Sequence, residues 1–465
     1  MSEPVSRPTA LPGYEPMGAA VRSDAERFPA LDHGGRERLD ALRHHAYAPA
    51  WSHACGDLLT DADHTTIAEW ARDVPAIAAA ATGQPPDWLL AETERLARVV
   101  PHLRRLGIRD WADVPTTTRA DLARGVADFV PVDVPLDRVV QGTSSGSSGS
   151  ALVIPWHPVD IAKDLALLDL LLAGVGVQWR EDPSRMGLLS VVDQEQAFTY
   201  ASAMTLRGGQ SMSRVSLHPS AWPDDDARRA FLTAVDPQVV TGSALTLQTY
   251  AALDLPRSPL ALVSGAVDLA TPARAHLESA FGAPVLDLYG LREVGPVACE
   301  TAAGAGHVLV PRRMWVEVVD DSGHPVPDGV PGDLTVSSLE NPYLPLLRYR
   351  TGDRGALVGT GADRRIVGLE GRSAVVFTAG DGRRVQSVEL TQQLQRFGVR
   401  AWSVQQDADG AVTARCLGGE GEGLRRALEV LLDRPVAVKQ VGDAADLGPG
   451  KPRRFASALS TLSTP

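Results

Sequence analysis

The spacing of apolar residues in the first part of the chain predicts helices separated by polar turns. Leu89, Leu96 and Val99 recur at the spacing of one helix face, and Thr118 is a good N-cap for the stretch that follows it. The predicted helices lie at 36–45, 88–103, 119–126 and 160–172. Residues 1–35 carry prolines, alanines and charges without periodicity, which predicts a loosely ordered arm.

Between residues 186 and 289, short apolar runs alternate with helical stretches. Strands are predicted at 187–192, 239–240, 260–263 and 285–289, and helices at 198–206, 245–253 and 271–281. This alternation is typical of a parallel sheet with helices on both faces. Ligands of such sheets bind at the carboxyl ends of the strands, where Ser264-Gly265 and Tyr289-Gly290 lie.

From residue 308 the pattern changes to short strands joined by tight turns, which predicts an antiparallel, barrel-like region. From residue 372 a separate small unit mixes short strands with two helices. The predicted fold class is therefore α/β. It combines a large N-terminal domain, 1–370, of parallel-rich αβ sheets and a β-barrel-like subdomain with a small α+β C-terminal domain, 371–465.

Composition and charge narrow the classes of function. The chain has 465 residues, 44% of them hydrophobic, which suffices for two or three domains. Its net charge of −12 argues against binding to nucleic acid or to a membrane surface. The 3 cysteines offer no disulfide framework, and no signal pattern begins the chain, so we expect a cytoplasmic protein. The apolar run 165–177 contains Asp169 and is too short to cross a bilayer.

A short polar segment, 142–152, lies between two strand-like apolar runs and has the sequence Gly-Thr-Ser-Ser-Gly-Ser-Ser-Gly-Ser-Ala-Leu. Glycines let backbone N–H groups approach an anion and hydroxyls add rotatable donors, so the segment suits a polyphosphate. A flexible linker is the alternative by composition, although the apolar flanks argue against it. It is not a P-loop, because it has no lysine. The candidate phosphate-binding residues are Thr143, Ser144, Ser145, Gly146, Ser147, Ser148 and Gly149.

Three more stretches follow in order: 288–295 (Leu-Tyr-Gly-Leu-Arg-Glu-Val-Gly), 347–353 (Leu-Arg-Tyr-Arg-Thr-Gly-Asp) and 450–454 (Gly-Lys-Pro-Arg-Arg). With the Ser/Gly segment, their order and spacing resemble the adenylate-forming superfamily of acyl-CoA synthetases, peptide-synthetase adenylation domains and luciferases. The motifs at 288–295 and 347–353 look most like those of phenylacetate–CoA ligases. The resemblance covers about residue 115 to the C-terminus, and the preceding residues match only loosely.

The resemblance implies that a carboxylate attacks the α-phosphorus of ATP and expels pyrophosphate, with catalysis by positioning and charge neutralisation. Glu293 would bind Mg²⁺, which bridges phosphate oxygens, and Asp353 would accept hydrogen bonds from the ribose hydroxyls. Tyr289 would offer its ring to adenine, and Gly290 would let the backbone approach. In isolation each has a plainer interpretation, as a solvated glutamate, a turn aspartate or a core tyrosine.

By the same resemblance, Lys451 lies on a mobile C-terminal domain and reaches the α-phosphate and the attacking oxygen, which suits a compact charge on a long stem. A surface lysine in a basic tail is the alternative. Arg372 resembles the arginine that contacts ribose or phosphate at the domain junction. The cofactors implied are ATP and Mg²⁺, with CoA as the candidate acceptor. A further stretch, Ser264, Gly265 and Ala266, resembles the adenine-side loop of the family. The alternative is that these residues form a plain strand-to-helix turn.

The chain departs from the family pattern at three places. Ser150 stands where relatives carry a lysine, which removes a positive charge from the pyrophosphate site. Arg292 replaces the Thr or Ser before the motif glutamate, and this fixed cation makes it a second candidate catalytic residue. It could partly restore the charge lost at Ser150, or it could bind an anionic substrate. The residues after Arg372 lack the acidic hinge that lets the small domain of the family rotate, which bears on the transfer to CoA.

The acid pocket is expected within 192–240. The candidate lining residues are Phe198, Tyr200 and Met204, placed on one helix, and core packing is the alternative for all three. Cys299 and His307 are spaced like zinc ligands, but two ligands do not close a site, so we predict no zinc.

Three functions fit these patterns. The leading one is an ATP-dependent ligase that activates an aryl or related small-molecule acid and passes it to CoA. The second is an ATP-dependent diazotase of a natural-product pathway that activates nitrite for transfer to an aromatic amine, because an arginine is a natural anchor for a small planar anion. The third is a non-catalytic nucleotide-binding relative, for which Ser150 is the main support. We expect a monomer or a homodimer.

Overall fold

The computed structural model describes residues 22–79, 84–143, 152–195, 197–266, 269, 271–370, 375–399, 401–442 and 455–459. The chain divides into two compact units. Unit 1 comprises Met1–Asp121, Ala127–Val140 and Pro155–Gly371, and unit 2 comprises Leu122–Val126, Gln141–Ile154 and Arg372–Pro465. Within the described ranges, every helix is either too short or too polar to span a bilayer.

Helices were predicted at most of the positions where the structure has them. They are α1 (Asp24–Arg27), α2 (His33–Arg43), α3 (Asp61–Ala79), α4 (Asp87–Val99), α5 (Pro101–Leu106), α6 (Arg119–Arg124), α7 (Pro158–Gly174), α8 (Asp225–Val235), α9 (Ala244–Ala251), α10 (Thr271–Phe281), α11 (Ser387–Arg396) and α12 (Gly421–Leu432). The single helix predicted at 88–103 is divided into α4 and α5. Val100 is extended because it precedes Pro101, which occupies the first turn of α5.

The strands follow the predicted alternation. They are β1 (Val140–Thr143), β2 (Val153–Trp156), β3 (Leu188–Val192), β4 (Tyr200–Met204), β5 (Gln210–Ser216), β6 (Val239–Gly242), β7 (Ala261–Gly265), β8 (Val285–Leu291), β9 (Gly295–Glu300), β10 (His307–Leu309), β11 (Met314–Val319), β12 (Gly332–Ser338), β13 (Leu346–Val358), β14 (Arg365–Glu370), β15 (Val376–Thr378), β16 (Arg384–Gln386), β17 (Ala401–Gln406), β18 (Val412–Leu417), β19 (Val436–Gln440) and β20 (Phe455–Ser457).

The α/β fold class is confirmed. A 12-stranded sheet has the order β11-β12-β13-β14-β10-β9-β8-β7-β6-β3-β5-β4, and its strands β5, β3, β6, β7 and β8 pair in parallel. Apolar side chains cover both faces of this centre. Leu189 and Val215 pack with Phe231 of α8 on one face, and Val263 packs with Leu167 of α7 on the other. The carboxyl ends of β6, β7 and β8 therefore share one edge, where the predicted ligand loops lie.

The antiparallel strands predicted from residue 308 continue this sheet instead of forming a separate one. Strands β8 and β13 are separated in the sheet order by β9, β10 and β14. In a flat sheet they would be roughly 19 Å apart. Yet the Tyr289 hydroxyl on β8 lies 3.0 Å from the Asp353 carboxylate on β13. The sheet must therefore curl, and the curl brings two predicted site residues together.

The prediction of a helix at 198–206 is wrong, because β4 occupies most of this segment. Ala201 and Ala203 belong to one apolar cluster and Met204 to the other, so successive side chains point to opposite faces, as in a strand. Register with β5 places Tyr200 opposite Arg214 and Met204 opposite Gln210. Pairing with β5 thus overrides a local pattern that is compatible with a helix.

The prediction of a loosely ordered arm over 1–35 is wrong for the part that the structure describes. From residue 23 the chain is folded, with a complete capping box between Ser23 and Glu26 at the start of α1. Phe28 and Leu31 are buried in the same apolar cluster as α8 and α9. Two separated apolar residues are enough to attach this segment, although they give no periodic pattern. Residues 1–21 lie outside the described ranges.

Unit 2 contains a four-stranded sheet in the order β19-β18-β17-β20. Trp402 of β17 is fully buried in its core, together with Leu390 of α11 and Leu428 of α12. Strands and helices therefore form one α+β core here. The predicted division of function, with a mobile small domain at 371–465, stays a prediction.

We expect Phe28→Ala to reduce the free energy of unfolding by about 3–5 kcal/mol, because it empties a fully buried aromatic site. The matched control is Val132→Ala, since Val132 is 66% exposed and its truncation leaves no cavity. Urea unfolding followed by tryptophan fluorescence measures both. An equally small change in the two variants would mean that the segment around Phe28 does not belong to the core.

Candidate active site

A tyrosine and an aspartate from two of the predicted motifs are in direct contact. The hydroxyl of Tyr289 donates a hydrogen bond of 3.0 Å to Oδ2 of Asp353, which is only 6% exposed. Asp353 follows Gly352, whose φ of +83° turns β13 at this point. The backbone N–H of Asp353 donates to Oγ1 of Thr351 at 3.0 Å. This aspartate is therefore held in one orientation by its own strand and by Tyr289.

The motif glutamate is held by a second pair of contacts. Glu293 follows β8 and is 5% exposed. Its Oε1 accepts a hydrogen bond of 3.2 Å from the Tyr349 hydroxyl and forms an ion pair with the Arg119 guanidinium. Both of these contacts fall on Oε1. The cation and the hydroxyl together offset the desolvation cost of burying this carboxylate.

Two side-chain hydrogen bonds therefore join β13 to the end of β8. Tyr289 is tied to Asp353, and Glu293 is tied to Tyr349, so each tie joins a tyrosine hydroxyl to a carboxylate. The tied positions are four residues apart on both sides, and they run in opposite order. The structure thus brings Tyr289, Glu293 and Asp353 to one corner of unit 1. We call these two contacts the tyrosine–carboxylate ties.

The close approach of the β9 backbone explains why residue 290 is a glycine, a reason that the sequence did not suggest. A Cβ at this position would lie 2.9 Å from the Gly295 oxygen and 3.1 Å from Cα of Pro296. The turn from β8 into β9 therefore requires glycine, whether or not a ligand approaches. The register between the two strands also shifts between Tyr289 and Gly290.

The predicted adenine-side loop leaves β7 at the same edge of the sheet. Ser264 is fully buried, and its hydroxyl has no hydrogen-bond partner among the residues that the structure describes. Gly265 ends β7, and Ala266 adopts a left-handed φ of +70°. This conformation is unusual for alanine and marks a constrained turn. A buried hydroxyl without a partner is compatible with a polar ligand here.

Several predicted site residues lie outside the part of the chain that the structure describes. Strands β1 and β2 pair with each other on either side of the Ser/Gly segment, and Thr143 is the last residue of β1. The residues that lie outside the described ranges are Ser144, Ser145, Gly146, Ser147, Ser148, Gly149, Arg372 and Lys451.

The three candidate pocket residues have different environments. Phe198 is 38% exposed, with its ring centroid 3.9 Å from the His53 ring and 5.5 Å from the Tyr200 ring. Burial raises the pKa of the Tyr200 hydroxyl, which therefore stays neutral. Met204 is buried among apolar residues that include Trp179. Phe198 and Tyr200 can line a pocket, whereas Met204 is a core residue.

Arg292 projects from the turn after β8 and is exposed. It makes no hydrogen bond or ion pair with any residue in the described part of the chain. Its neighbour Glu293 is buried, so the two successive side chains of this turn have opposite environments. An exposed cation without a partner is able to bind an anion.

Two residues on which the site depends, Arg119 and Tyr349, had no role predicted from the sequence. Tyr349 lies within the Leu-Arg-Tyr-Arg-Thr-Gly-Asp motif, and its alternation with Asp353 along β13 was the available signal. Arg119 is 174 positions from Glu293 and carries no local signal at all. Only the fold shows that it neutralises the motif glutamate.

Magnesium and zinc can be assessed from the donors present. Mg²⁺ prefers hard oxygen ligands and keeps several waters and phosphate oxygens, so the single carboxylate of Glu293 fits it. Among the described residues, no three His, Cys, Asp or Glu side chains are grouped closely enough to hold a metal by themselves. Nε2 of His307 lies 3.2 Å from Oδ2 of Asp287, which gives this histidine a partner within the sheet.

Sequence comparison finds curated relatives of one kind. The phenylacetate–coenzyme A ligase of Escherichia coli (strain K12) is 29% identical over 282 residues, which is 57% of this chain and 62% of that enzyme. The enzyme of the same name from Aromatoleum evansii is 26% identical over 307 residues, which is 59% of this chain and 66% of that enzyme. The matched region thus spans less than two thirds of either relative. No protein-family model matches the chain.

Structure comparison supports the fold. A crystal structure of 2-hydroxyisobutyryl-CoA ligase in complex with 2-HIB-AMP and CoA superposes with a TM-score of 0.51, over 84% of this chain and 90% of that one, at 16% sequence identity. At this identity the likeness concerns the fold alone. The chain is therefore similar in sequence to phenylacetate–CoA ligases and shares the fold of 2-hydroxyisobutyryl-CoA ligase.

Proposed function

We propose that the chain is an ATP-dependent, AMP-forming ligase that activates a small carboxylic acid as an acyl adenylate. The two tyrosine–carboxylate ties carry this proposal, because they hold Glu293 and Asp353 in one corner at the carboxyl end of β8. One carboxylate can accept hydrogen bonds from the ribose hydroxyls of a nucleotide, and another can hold the Mg²⁺ on its phosphates. The similarity to phenylacetate–CoA ligases supports an aryl or related acid as the substrate.

In the proposed reaction, a carboxylate oxygen of the acid forms a bond to the α-phosphorus of ATP. The bond from that phosphorus to the oxygen leading to the β-phosphorus breaks, and pyrophosphate leaves with the electron pair. Asp353 accepts hydrogen bonds from the ribose hydroxyls, and Tyr289 fixes Asp353 and presents its ring to adenine. The backbone and hydroxyls of Thr143 to Gly149 bind the terminal phosphates.

Charge neutralisation completes the proposed mechanism. Lys451 places an ammonium group at the α-phosphate, where negative charge accumulates, and Arg372 contacts the ribose or phosphate. Glu293 is the residue that would hold Mg²⁺, and the bound metal would neutralise charge on the phosphate oxygens. Arg119 and Tyr349 keep the Glu293 side chain in place through its Oε1.

CoA is the proposed acceptor of the acyl group. The curated relatives are named as CoA ligases, and the matched crystal structure contains CoA together with 2-HIB-AMP. A second function is favoured by one observation, the exposed and unpartnered guanidinium of Arg292. This cation suits activation of nitrite by ATP, followed by transfer to an aromatic amine. ATP–pyrophosphate exchange with a panel of aryl acids, and with nitrite, distinguishes the two substrates.

We expect Lys451→Ala to lower the rate of ATP–pyrophosphate exchange on the order of 10²–10³-fold, because it removes a cation that acts on the transition state. The matched control is Lys439→Ala, which removes an exposed lysine of the same unit and leaves the rate unchanged. Exchange is measured with the acid that gives the highest rate in the panel. Equal rates in both variants would exclude this role for Lys451 and favour the non-catalytic alternative.

We expect Asp353→Asn to raise the KM for ATP by roughly 10–100-fold, since a charged acceptor of hydrogen bonds is lost. Tyr289→Phe removes only the tie, so its effect on the KM for ATP is smaller. The control is Asp363→Asn, at an aspartate whose side chain is 88% exposed. Steady-state kinetics at varied ATP measures all three. If Asp353→Asn and Asp363→Asn have the same KM for ATP, Asp353 does not bind the nucleotide.

A further inference from the structure

Arg214 is a half-buried arginine on β5, the strand next to the edge strand β4 of the large sheet, and it has no carboxylate partner among the described residues. On β5 it lies opposite Tyr200 of β4 and opposite Ser190 of β3. Paired residues of neighbouring strands share a face, and this face is the one on which α7 packs. Its Nε is buried without a hydrogen-bond partner. Within the described part of the chain, Arg214 makes no ion pair and no hydrogen bond.

Other buried arginines of unit 1 are neutralised. Arg274 lies 3.1 Å from the Glu300 carboxylate, Arg312 lies 2.6 Å from Asp164, and Arg348 lies 3.3 Å from Glu317. Removing a guanidinium from water without such a partner is unfavourable. The fold itself therefore gives no reason to place a cation at position 214. A polar ligand that binds there would supply the missing partner.

Arg292 brings a second unpaired cation to the same region. Burial lowers the pKa of the Arg214 guanidinium, and the positive charge of Arg292 lowers it further, so the two cations are within electrostatic reach of each other. Asp164 on α7 also feels Arg292, but its carboxylate is already bound by Arg312. Asp164 is therefore not an unpaired carboxylate that could neutralise Arg292.

An aromatic wall borders Arg214. Tyr200 is the direct cross-strand neighbour of Arg214, and the exposed Phe198 ring stands edge-on to the Tyr200 ring, with His53 on its other side. Because the Tyr200 hydroxyl stays neutral, it can donate a hydrogen bond to an anion instead of repelling it. Cations for the anionic end and aromatic rings for the apolar end together suit a small planar acid.

We infer that Arg214 and Arg292 bind the planar anion of the substrate, a carboxylate or nitrite, beside a wall formed by Phe198 and Tyr200. Two guanidinium groups with a neutral hydroxyl offer more donors than one planar anion can use, and bidentate pairing fixes its orientation. The inference rests on the proposed function only for the chemistry that follows binding. It assigns the specificity for the anion to Arg214, a residue remote from every motif in the sequence.

The test compares Arg214→Met, Arg292→Met and the charge-retaining Arg214→Lys with Arg180→Met, which removes an exposed arginine elsewhere in unit 1. Benzoate, phenylacetate and sodium nitrite are the probes, used on the full chain. We expect Arg214→Met and Arg292→Met to raise the KM for the preferred anion in ATP–pyrophosphate exchange by roughly 10–100-fold, with the KM for ATP within about twofold. Arg214→Lys retains part of the affinity, and Arg180→Met behaves as the parent.

Thermal unfolding gives a second measurement that does not need turnover. The preferred anion raises the Tm of the parent and of Arg180→Met, because it binds only the folded state. It leaves the Tm of Arg214→Met unchanged. Without ligand, Arg214→Met unfolds at the same or a higher temperature than the parent, since it removes an unpaired buried charge. A structural arginine would instead lower the Tm in the absence of anion.

The outcomes separate the inference from the proposed function. An active Arg214→Met with parental KM values for every anion overturns the inference and leaves the ligase function standing. A chain that shows no exchange, but loses anion-dependent stabilisation in Arg214→Met, supports the inference and contradicts the function. Selective loss of the response to nitrite, or to the aryl acids, identifies the anion. If none of the three probes stabilises the parent or supports exchange, the site does not bind such anions.

Discussion

Two hydrogen bonds between tyrosine hydroxyls and carboxylates determine the geometry of the site. They join β13 to the end of β8 across a gap in the strand order that a flat sheet would leave wide open. The sheet curls through its antiparallel strands, which brings β13 close to the carboxyl end of the parallel strand β8. The tyrosine–carboxylate ties then hold these two strands together. Buried carboxylates are tolerated because each accepts a hydrogen bond from a tyrosine and one also has an arginine. The metal and ribose roles proposed for Glu293 and Asp353 both require this arrangement.

The class of fold followed from local pattern because strand and helix alternate with distinct periods between residues 186 and 289. The motifs also predicted which residues meet, since Tyr289, Glu293 and Asp353 do lie together. Contacts between residues that are far apart in the sequence could not be predicted from local patterns. The stretch 198–206 is compatible with a helix by itself and becomes β4 only through its register with β5. Phe28 attaches the N-terminal segment without any periodicity, and Arg119 reaches Glu293 across a separation that no local pattern records.

The arginines of unit 1 include some that pair with a carboxylate and two, Arg214 and Arg292, that have no partner among the described residues. Arg119, Arg312 and Arg348 each meet a carboxylate, so their charges are balanced by the fold. Arg214 and Arg292 have no such balance within the described residues, and Arg214 shares its face of the sheet with Tyr200. A protein that keeps most buried charges paired but leaves two cations open has a local excess of positive potential. Such an excess attracts an anionic substrate and also disfavours neutral analogues of the same shape.

The pairing of Arg119 with Glu293 also constrains the order in which the molecule can assemble. The two residues are 174 positions apart, and Tyr289 and Asp353 are 64 apart. Closing such large loops is entropically expensive, so contacts of this kind form late in folding. During synthesis, the pocket cannot be completed before the ribosome has released the strand that contains Asp353. A chain interrupted earlier would therefore hold the parallel strands, but the Tyr289 hydroxyl would lack its carboxylate acceptor and Glu293 would lack Tyr349.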